Sequence, residues 1–291
     1  MINDFEYFAP KTLKEALKLL DQYRDDYKII AGGQSLLIMM RQGLINPKYL
    51  IDIKGISELD YIQTDAKKGL RIGALTTHRA IEKSPVIKKS FGVIAEMENS
   101  LASIQTRNWG TIGGNLCHGD PAGDPAPVLI ALNASLTIAE MNGERNMSVE
   151  DFFLDYFETA LEHGELLSEI QIPAMPSHTG AAYTKFNVIE NDMATVGVAV
   201  SMTLASKDGH CKDVRIALAN SAPRPMRAKR AEELLRGKKI TGNLLKEAGE
   251  IASSETEPLS DIHASAEYRQ ELVKVLVKRV GTEALTRAKQ V

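Results

Sequence analysis

Two segments of the chain combine paired glycines with short polar side chains. The first, Ile29-Ile30-Ala31-Gly32-Gly33-Gln34-Ser35-Leu36, runs from a β-prone stretch through two glycines toward a short helical turn. A strand that ends this way presents successive backbone N–H groups, and with no Cβ in the way an anion such as a diphosphate can approach them closely. Gln34 and Ser35 add side-chain donors. The segment has neither the G-x-G-x-x-G dinucleotide spacing nor the G-x-x-x-x-G-K-[ST] of a P-loop. Taken alone it reads equally as an ordinary strand-to-turn junction. The second, Asn108-Trp109-Gly110-Thr111-Ile112-Gly113-Gly114-Asn115, continues through Leu116 to Pro127. Thr111, Asn115 and the amides of Gly113 and Gly114 suit polar ligand atoms, and Asp124 suits a ribose hydroxyl. As a surface Ω-loop, its glycines would serve turns alone. Two such segments in one chain are harder to assign to turns than either by itself.

Other residue types carry less. Cys117, His118, Asp120 and Asp124 crowd together, but no second Cys/His cluster completes a metal site, and no metal ligand is expected. Ser35 lacks the G-x-S-x-G elbow of a hydrolase. Cys211, beside a Gly-His turn, reads as incidental. Arg224, Arg227, Lys229 and Arg230 sit on a periodic segment and read as a solvated helix face. Lys185 is a lone cation between Tyr183 and Phe186. It either snorkels at a strand edge or neutralises an anionic ring or carbonyl.

The elements that must position these residues follow from pattern and punctuation. Thr12-Leu13-Lys14-Glu15 reads as a capping box ahead of Leu13, Ala16, Leu17 and Leu20 at helical spacing. Strands are expected over 27–31, 49–53 and 70–74, a short helix over 35–41, and a helix capped by Thr76 or Thr77. Residues 92–105 are helix-compatible. Residues 106–127 show no periodicity, and an irregular stretch of that length is either functional or disordered. A buried helix over 127–134 precedes a hairpin with Asn142-Gly143 as its turn signal. Past a linker-like Pro173-Ala174-Met175-Pro176, apolar runs at 182–188, 195–204 and 214–219 give way to helix candidates at 227–236, 243–253 and 265–288. The chain thus divides near 175 into a glycine-rich α+β half and a strand-then-helix half.

Composition excludes several classes of function. With 35 Lys plus Arg against 38 Asp plus Glu in 291 residues, no global charge favours nucleic acid or an anionic membrane. Two cysteines are too few for an iron–sulfur cluster, which takes about four thiolates. No apolar run approaches the roughly 20 residues of a membrane span. Met1 leads into acidic and aromatic residues rather than a signal peptide, so a cytoplasmic chain is expected.

With these readings in place, the two glycine segments can be set against known families. Ala31-Gly32-Gly33-Gln34-Ser35-Leu36 and Thr111-Ile112-Gly113-Gly114-Asn115-Leu116-Cys117 resemble the two FAD-binding signatures of the medium subunits of molybdenum hydroxylases, the xanthine dehydrogenase family. The first is most like the carbon monoxide dehydrogenase branch. The similarity extends over Leu50-Ile51-Asp52-Ile53, Leu70-Arg71-Ile72-Gly73-Ala74, Glu165-Leu166-Leu167-Ser168-Glu169-Ile170 and residues 185–196. It implies an α+β, vanillyl-alcohol-oxidase-type (PCMH) FAD-binding fold in two α/β lobes, 1–55 and 56–175. A C-terminal domain, 178–291, would hold a three-stranded antiparallel sheet and a helical bundle. It implies that residues 31–36 wrap the diphosphate, with Thr111, Gly114 and Asn115 approaching it from the other side, and that Ile29, Ile30 and Cys117 also belong to the cofactor site. Gly123 and Asp124 match positions at the adenosine half. Ala102, Leu166 and Lys185 match positions near the isoalloxazine.

The function implied is electron transfer within an oxidoreductase, with non-covalent FAD and no catalytic side chain of the chain's own. [2Fe–2S] clusters would sit in an iron–sulfur small subunit and molybdopterin in a large subunit, in a dimer of heterotrimers. FAD would pass electrons to NAD+, a quinone or another acceptor. Two alternatives stand beside this. One is a stand-alone flavin-dependent reductase or oxidase of the same superfamily, for which Glu190 and Asp192 are the nearest acidic candidates. The other is a scaffold subunit that kept the fold without the cofactor. Trp109, the one tryptophan, is expected to brace the second glycine segment.

Overall fold

The structure is a computed structural model that describes residues 4–23, 26–65, 67 and 69–290; Met1 lies outside them. The chain opens with β1 (Glu6–Phe8), α1 (Leu13–Gln22), β2 (Tyr27–Ile30), α2 (Leu36–Arg41) and β3 (Tyr49–Asp52). The three strands form a parallel sheet in the order β1-β3-β2. Thr12 caps α1 by accepting from the Glu15 amide at 3.2 Å. The reciprocal half of the expected capping box goes elsewhere: the Glu15 carboxylate takes the Lys11 amide at 2.8 Å, and Glu58 takes the Leu13 amide at 2.6 Å. Ala16, Leu17 and Leu20 bury the inner face of the helix as their spacing requires.

The next stretch comprises β4 (Ile62–Asp65), β5 (Gly69–Gly73), α3 (His78–Lys83), α4 (Pro85–Ser90), α5 (Gly92–Ser100), α6 (Ile104–Trp109), α7 (Ile112–His118), α8 (Pro125–Ala131), β6 (Ser135–Glu140), β7 (Gly143–Ser148), α9 (Val149–Phe152), β8 (Phe153–Asp155), β9 (Glu158–Thr159) and β10 (Leu166–Ile172). Five of its strands form an antiparallel sheet, β4-β5-β10-β6-β7. Leu70, Ile72, Leu136, Ile138, Ile170 and Ile172 share the fully buried core beneath it with the apolar faces of the helices. The other face is polar, with Arg71 on Glu169 at 2.6 Å.

Three expectations are corrected here. Residues 106–127 are not irregular but hold most of α6, all of α7 and the start of α8. Their helices are only six or seven residues long, too short to print a 3.6-residue period, and are fixed by Ser103, Thr111 and burial instead. The helix expected over 127–134 begins at Pro125 and stops at Ala131, ahead of Asn133 at φ 58°. In the hairpin Glu140 pairs with Gly143, so Met141 and Asn142 make the turn.

The remainder is β11 (Thr179–Phe186), β12 (Val196–Leu204), β13 (Cys211–Ala219), β14 (Met226–Arg227), α10 (Lys229–Leu235), α11 (Gly242–Ser254) and α12 (Ala266–Ala288). The sheet carries a fourth, two-residue strand beyond the three expected, in the order β11-β12-β13-β14. A Cβ on Gly180 would lie 2.1 Å from the Ala284 carbonyl, so α12 packs directly on β11. Two shared clusters join the parts. Leu75, Ala139 and Leu166 pack with the core of α1 and β3, and Ala181, Ala199 and Ala217 pack with the core beneath the five-stranded sheet.

Candidate functional site

A cavity of about 690 Å³ opens where these parts meet, within the size range of ligand pockets. Its first wall grows from β2. The strand ends at Ile30, whose carbonyl accepts from Ile53 at 3.0 Å, and Gly33 then takes φ 72°, a left-handed turn that glycine adopts without strain. The chain enters α2 with Leu37 bonded back to Gly33. Among the described residues, the amides of Gly32, Gly33, Gln34 and Ser35 donate no hydrogen bond. Consecutive unpartnered amides beside a cavity are a cradle for anionic oxygens.

The second wall is built differently. Thr111 caps α7 by accepting from the Gly114 amide at 3.1 Å, and Gly113 donates to the Ala74 carbonyl at 2.9 Å. The two amides expected to meet a ligand are therefore engaged. What Gly113 supplies is close approach, since a Cβ there would sit 2.6 Å from Ala74. The two walls also touch: a Cβ on Gly32 would lie 2.3 Å from the Trp109 carbonyl and 2.7 Å from Gly110 Cα. Trp109 contributes that carbonyl and not a brace, its side chain being 62% exposed.

A buried ion pair closes the third side. Asp124, at the head of α8, accepts from the Lys185 ammonium at 2.7 Å and from the Tyr183 hydroxyl at 2.6 Å. Burial pushes the Asp124 carboxyl above the usual carboxylate range, and Lys185 and Tyr183 oppose that shift. The same surroundings hold the Tyr183 phenol well above its ordinary value. The structure thus places Asp124 and Lys185 side by side in the cavity, 2.7 Å apart.

Ile29, Ala31, Gly32, Gly33, Gln34, Ser35, Leu36, Ala102, Thr111, Gly114, Asn115, Cys117, Gly123, Asp124, Leu166 and Lys185 all line this cavity. Ile30 does not; it packs behind the cradle with Met40 and Leu50. Asp192 reaches the cavity and takes the Met193 amide at 2.8 Å, whereas Glu190 stands on the exposed surface outside it. Burial pushes the Cys117 thiol up to about 12, which keeps it protonated. The His118 ring packs on Phe157 at 5.2 Å between centroids.

Sequence reasoning missed Arg107, His78, Glu98 and Tyr183. Arg107 ties the carbonyls of Leu101 and Ala102 at 2.6 and 2.7 Å and is itself held by Glu82 at 3.0 Å. That clamp holds Ala102 at φ 42°, a conformation unusual for a residue with a side chain. A charged residue inside an otherwise small-residue stretch was the available signal.

An anion cradle continuous with a largely apolar cleft, and closed by a buried cation, is the arrangement of a protein that binds a flavin dinucleotide. Residues 3–175 match the model of the FAD binding domain in molybdopterin dehydrogenase, and residues 181–284 match the CO dehydrogenase flavoprotein C-terminal domain. The chain is 37% identical over 284 residues to the carbon monoxide dehydrogenase medium chain of Hydrogenophaga pseudoflava, covering 97% of this chain and 98% of that one. It is 34% identical over 280 residues to the glyceraldehyde dehydrogenase medium chain of Sulfolobus acidocaldarius, covering 96% and 98%. Among solved structures, carbon monoxide dehydrogenase from Hydrogenophaga pseudoflava lacking the Mo-pyranopterin moiety superposes with a TM-score of 0.95 at 38% identity, over 99% of each chain. Quinoline 2-oxidoreductase from Pseudomonas putida 86 does so with a TM-score of 0.92 at 33% identity, again over 99% of each. The chain belongs to the FAD-binding subunits of the molybdenum hydroxylase family, a family of oxidoreductases.

Proposed function

We propose that this chain is the electron-transfer subunit of a heteromeric molybdenum hydroxylase, taking electrons from a partner's [2Fe–2S] clusters and delivering them to NAD+, a quinone or another acceptor. The observation that carries this is the row of unpartnered amides from Gly32 to Ser35 beside the cavity, facing a wall that closes to van der Waals contact at Gly110. Bound FAD would supply the junction between one-electron and two-electron carriers. The chain's residues would bind the diphosphate at 32–35, exclude water with Leu101, Leu166 and Leu167, and set the charge at one end through Lys185 and Asp124. The binding would be non-covalent, because Cys117 is held as a thiol and His118 packs at a tilt against Phe157. The three-, five- and four-stranded sheets support a division into 1–55, 56–175 and 178–291.

With only two cysteines the chain cannot ligate iron–sulfur clusters, so an iron–sulfur small subunit and a molybdopterin large subunit are its proposed partners. The relatives named above act in complexes named for carbon monoxide, glyceraldehyde and quinoline, which supports substrate selection outside this chain. A cradle of free amides has no use in a cofactor-free scaffold. The test is anaerobic: the yellow, FAD-loaded chain is mixed with its reduced iron–sulfur partner, and flavin absorbance is followed. Bleaching without added organic substrate is expected. A flavin that only an organic substrate bleaches, with no partner present, would replace this reading with the stand-alone enzyme.

A further inference from the structure

Behind the contact between the two glycine walls lies a buried pair that the FAD site as described does not use. His78 opens α3 and is 3% exposed, and Glu98 on α5 is 0% exposed. His78 Nδ1 lies 2.9 and 3.1 Å from the two Glu98 oxygens. No other described residue hydrogen-bonds that carboxyl. Burying a carboxyl with a single partner is unfavourable, and an apolar pair of similar volume would pack as well or better. Stability alone does not account for it.

Its position is specific. The His78 amide donates to the Gly110 carbonyl at 3.0 Å, and the neighbouring Thr77 bridges to Thr111. A Cβ on Gly110 would lie 3.1 Å from His78 Cδ2 and 3.5 Å from Gln34 Cγ, so the imidazole sits at the junction of the two walls. The ring lines the cavity. Its Nε2 has no partner among the described residues and is not wholly sealed from solvent, and His78 is one of the residues that line the cavity.

The charged groups packed around the pair are themselves matched. Arg107 from α6 meets Glu82 of α3 at 3.0 Å, and Glu82 also holds Arg79 and Lys83. Asp124, ahead of α8, meets Lys185 at 2.7 Å.

We propose that His78 is a further FAD-binding residue, donating from Nε2 to a diphosphate oxygen at the junction of the two glycine walls, with Glu98 as the positioning residue that fixes the ring through Nδ1. With Nδ1 held on Glu98, Nε2 is the ring nitrogen left to meet a phosphate oxygen. Burial pushes the Glu98 carboxyl above the usual carboxylate range, and His78 opposes that shift. The inference rests on the cavity being the FAD site.

The experiment uses the full-length chain freed of FAD and titrated with FAD, and separately with ADP as a flavin-free probe of the diphosphate. His78→Gln and Glu98→Gln are each expected to weaken FAD about tenfold, the worth of one charge-assisted hydrogen bond. ADP should weaken in the same proportion. Because Glu98 acts through His78, the double variant should bind no more weakly than His78→Gln alone. His78→Asn replaces His78→Gln if the latter does not fold. A folded His78 variant that binds FAD like the parent overturns the proposal. So does a Glu98→Gln effect that persists undiminished in the double variant, or weakened FAD with unchanged ADP. Gly32→Val, measured in parallel, separates the two levels: tight FAD binding there would mean that the cavity itself is misassigned.

Discussion

Along the first glycine wall the amides of residues 32–35 have no partner among the described residues, whereas along the second those of Ile112, Gly113, Gly114 and Asn115 bond to Thr76 O, Ala74 O, Thr111 Oγ1 and Thr111 O. Glycine serves two physical ends in the two places. In the first wall Gly33 makes the left-handed turn within a run of free amides, and Gly32 lets the two walls meet. In the second, glycine lets α7 seat on the end of β5 at a distance no side chain permits. A bound anion would therefore meet backbone dipoles on one side, and on the other Thr111 and Asn115, which line the cavity. A buried cation enters from β11, through Lys185, and is paired there with Asp124.

Removing that charge should have the largest effect. Lys185→Met would strand the Asp124 carboxylate in a buried site, a defect worth about 3–5 kcal/mol. Burial already raises this carboxyl in the folded state, and Lys185 is one of the groups opposing the rise. A carboxyl raised on folding binds more protons folded than unfolded, so it destabilises as pH climbs from the ordinary carboxylate range through the raised value. The loss in Lys185→Met should therefore be greatest near neutral pH and shrink in mildly acidic buffer. Adding Asp124→Asn should restore most of it. Urea unfolding at the two pH values measures this, and equal losses at both would show that Asp124 does not carry the effect.

Next come paired glycine substitutions that set the walls against each other. Gly32→Ala and Gly113→Ala each place a Cβ within 2.6 Å of backbone, so each should destabilise by about 1–3 kcal/mol. They should part in FAD affinity. Gly32→Ala pushes the walls apart and displaces the free amides, so FAD retention should be lost. Gly113→Ala shifts α7 on Ala74 while the cradle stays intact, so binding should weaken less than stability. Flavin fluorescence titration beside thermal unfolding reads both quantities. Equal losses of FAD affinity would dissolve the distinction between a cradle and a seat.

The cradle was legible in the sequence because it is local: a strand, two glycines and a turn within eight residues. The same applies to α1, whose cap and apolar spacing lie within ten residues, and to the long α12. The second wall was legible as a motif but not as structure. Its glycine content suppresses helical pattern, and only the fold reveals that Ala74 and Thr76 take up its amides. Tyr183 and Lys185 meet Asp124 from 59 and 61 residues away, and His78 meets Glu98 across 20, distances at which no periodicity carries information. A two-residue fourth strand such as β14 is likewise made by its partner β13 rather than by its own residues.

The smallest effect tests the second wall at its hinge. Thr111 caps α7 through Oγ1 and also lines the cavity, so a second role for the hydroxyl can be separated from the first by substitution. Thr111→Val keeps the shape and removes the acceptor, which should cost about 1 kcal/mol through the lost cap. Thr111→Ser keeps the acceptor and should restore it. If the hydroxyl only caps the helix, FAD affinity will follow stability and Ser will restore both. If it also meets the cofactor, Thr111→Val will weaken FAD beyond its effect on unfolding. A second wall that acts through its side chains requires the latter outcome. A Thr111→Val chain with normal FAD affinity would leave Asn115 as that wall's remaining polar contact and shift the work of binding further toward residues 32–35.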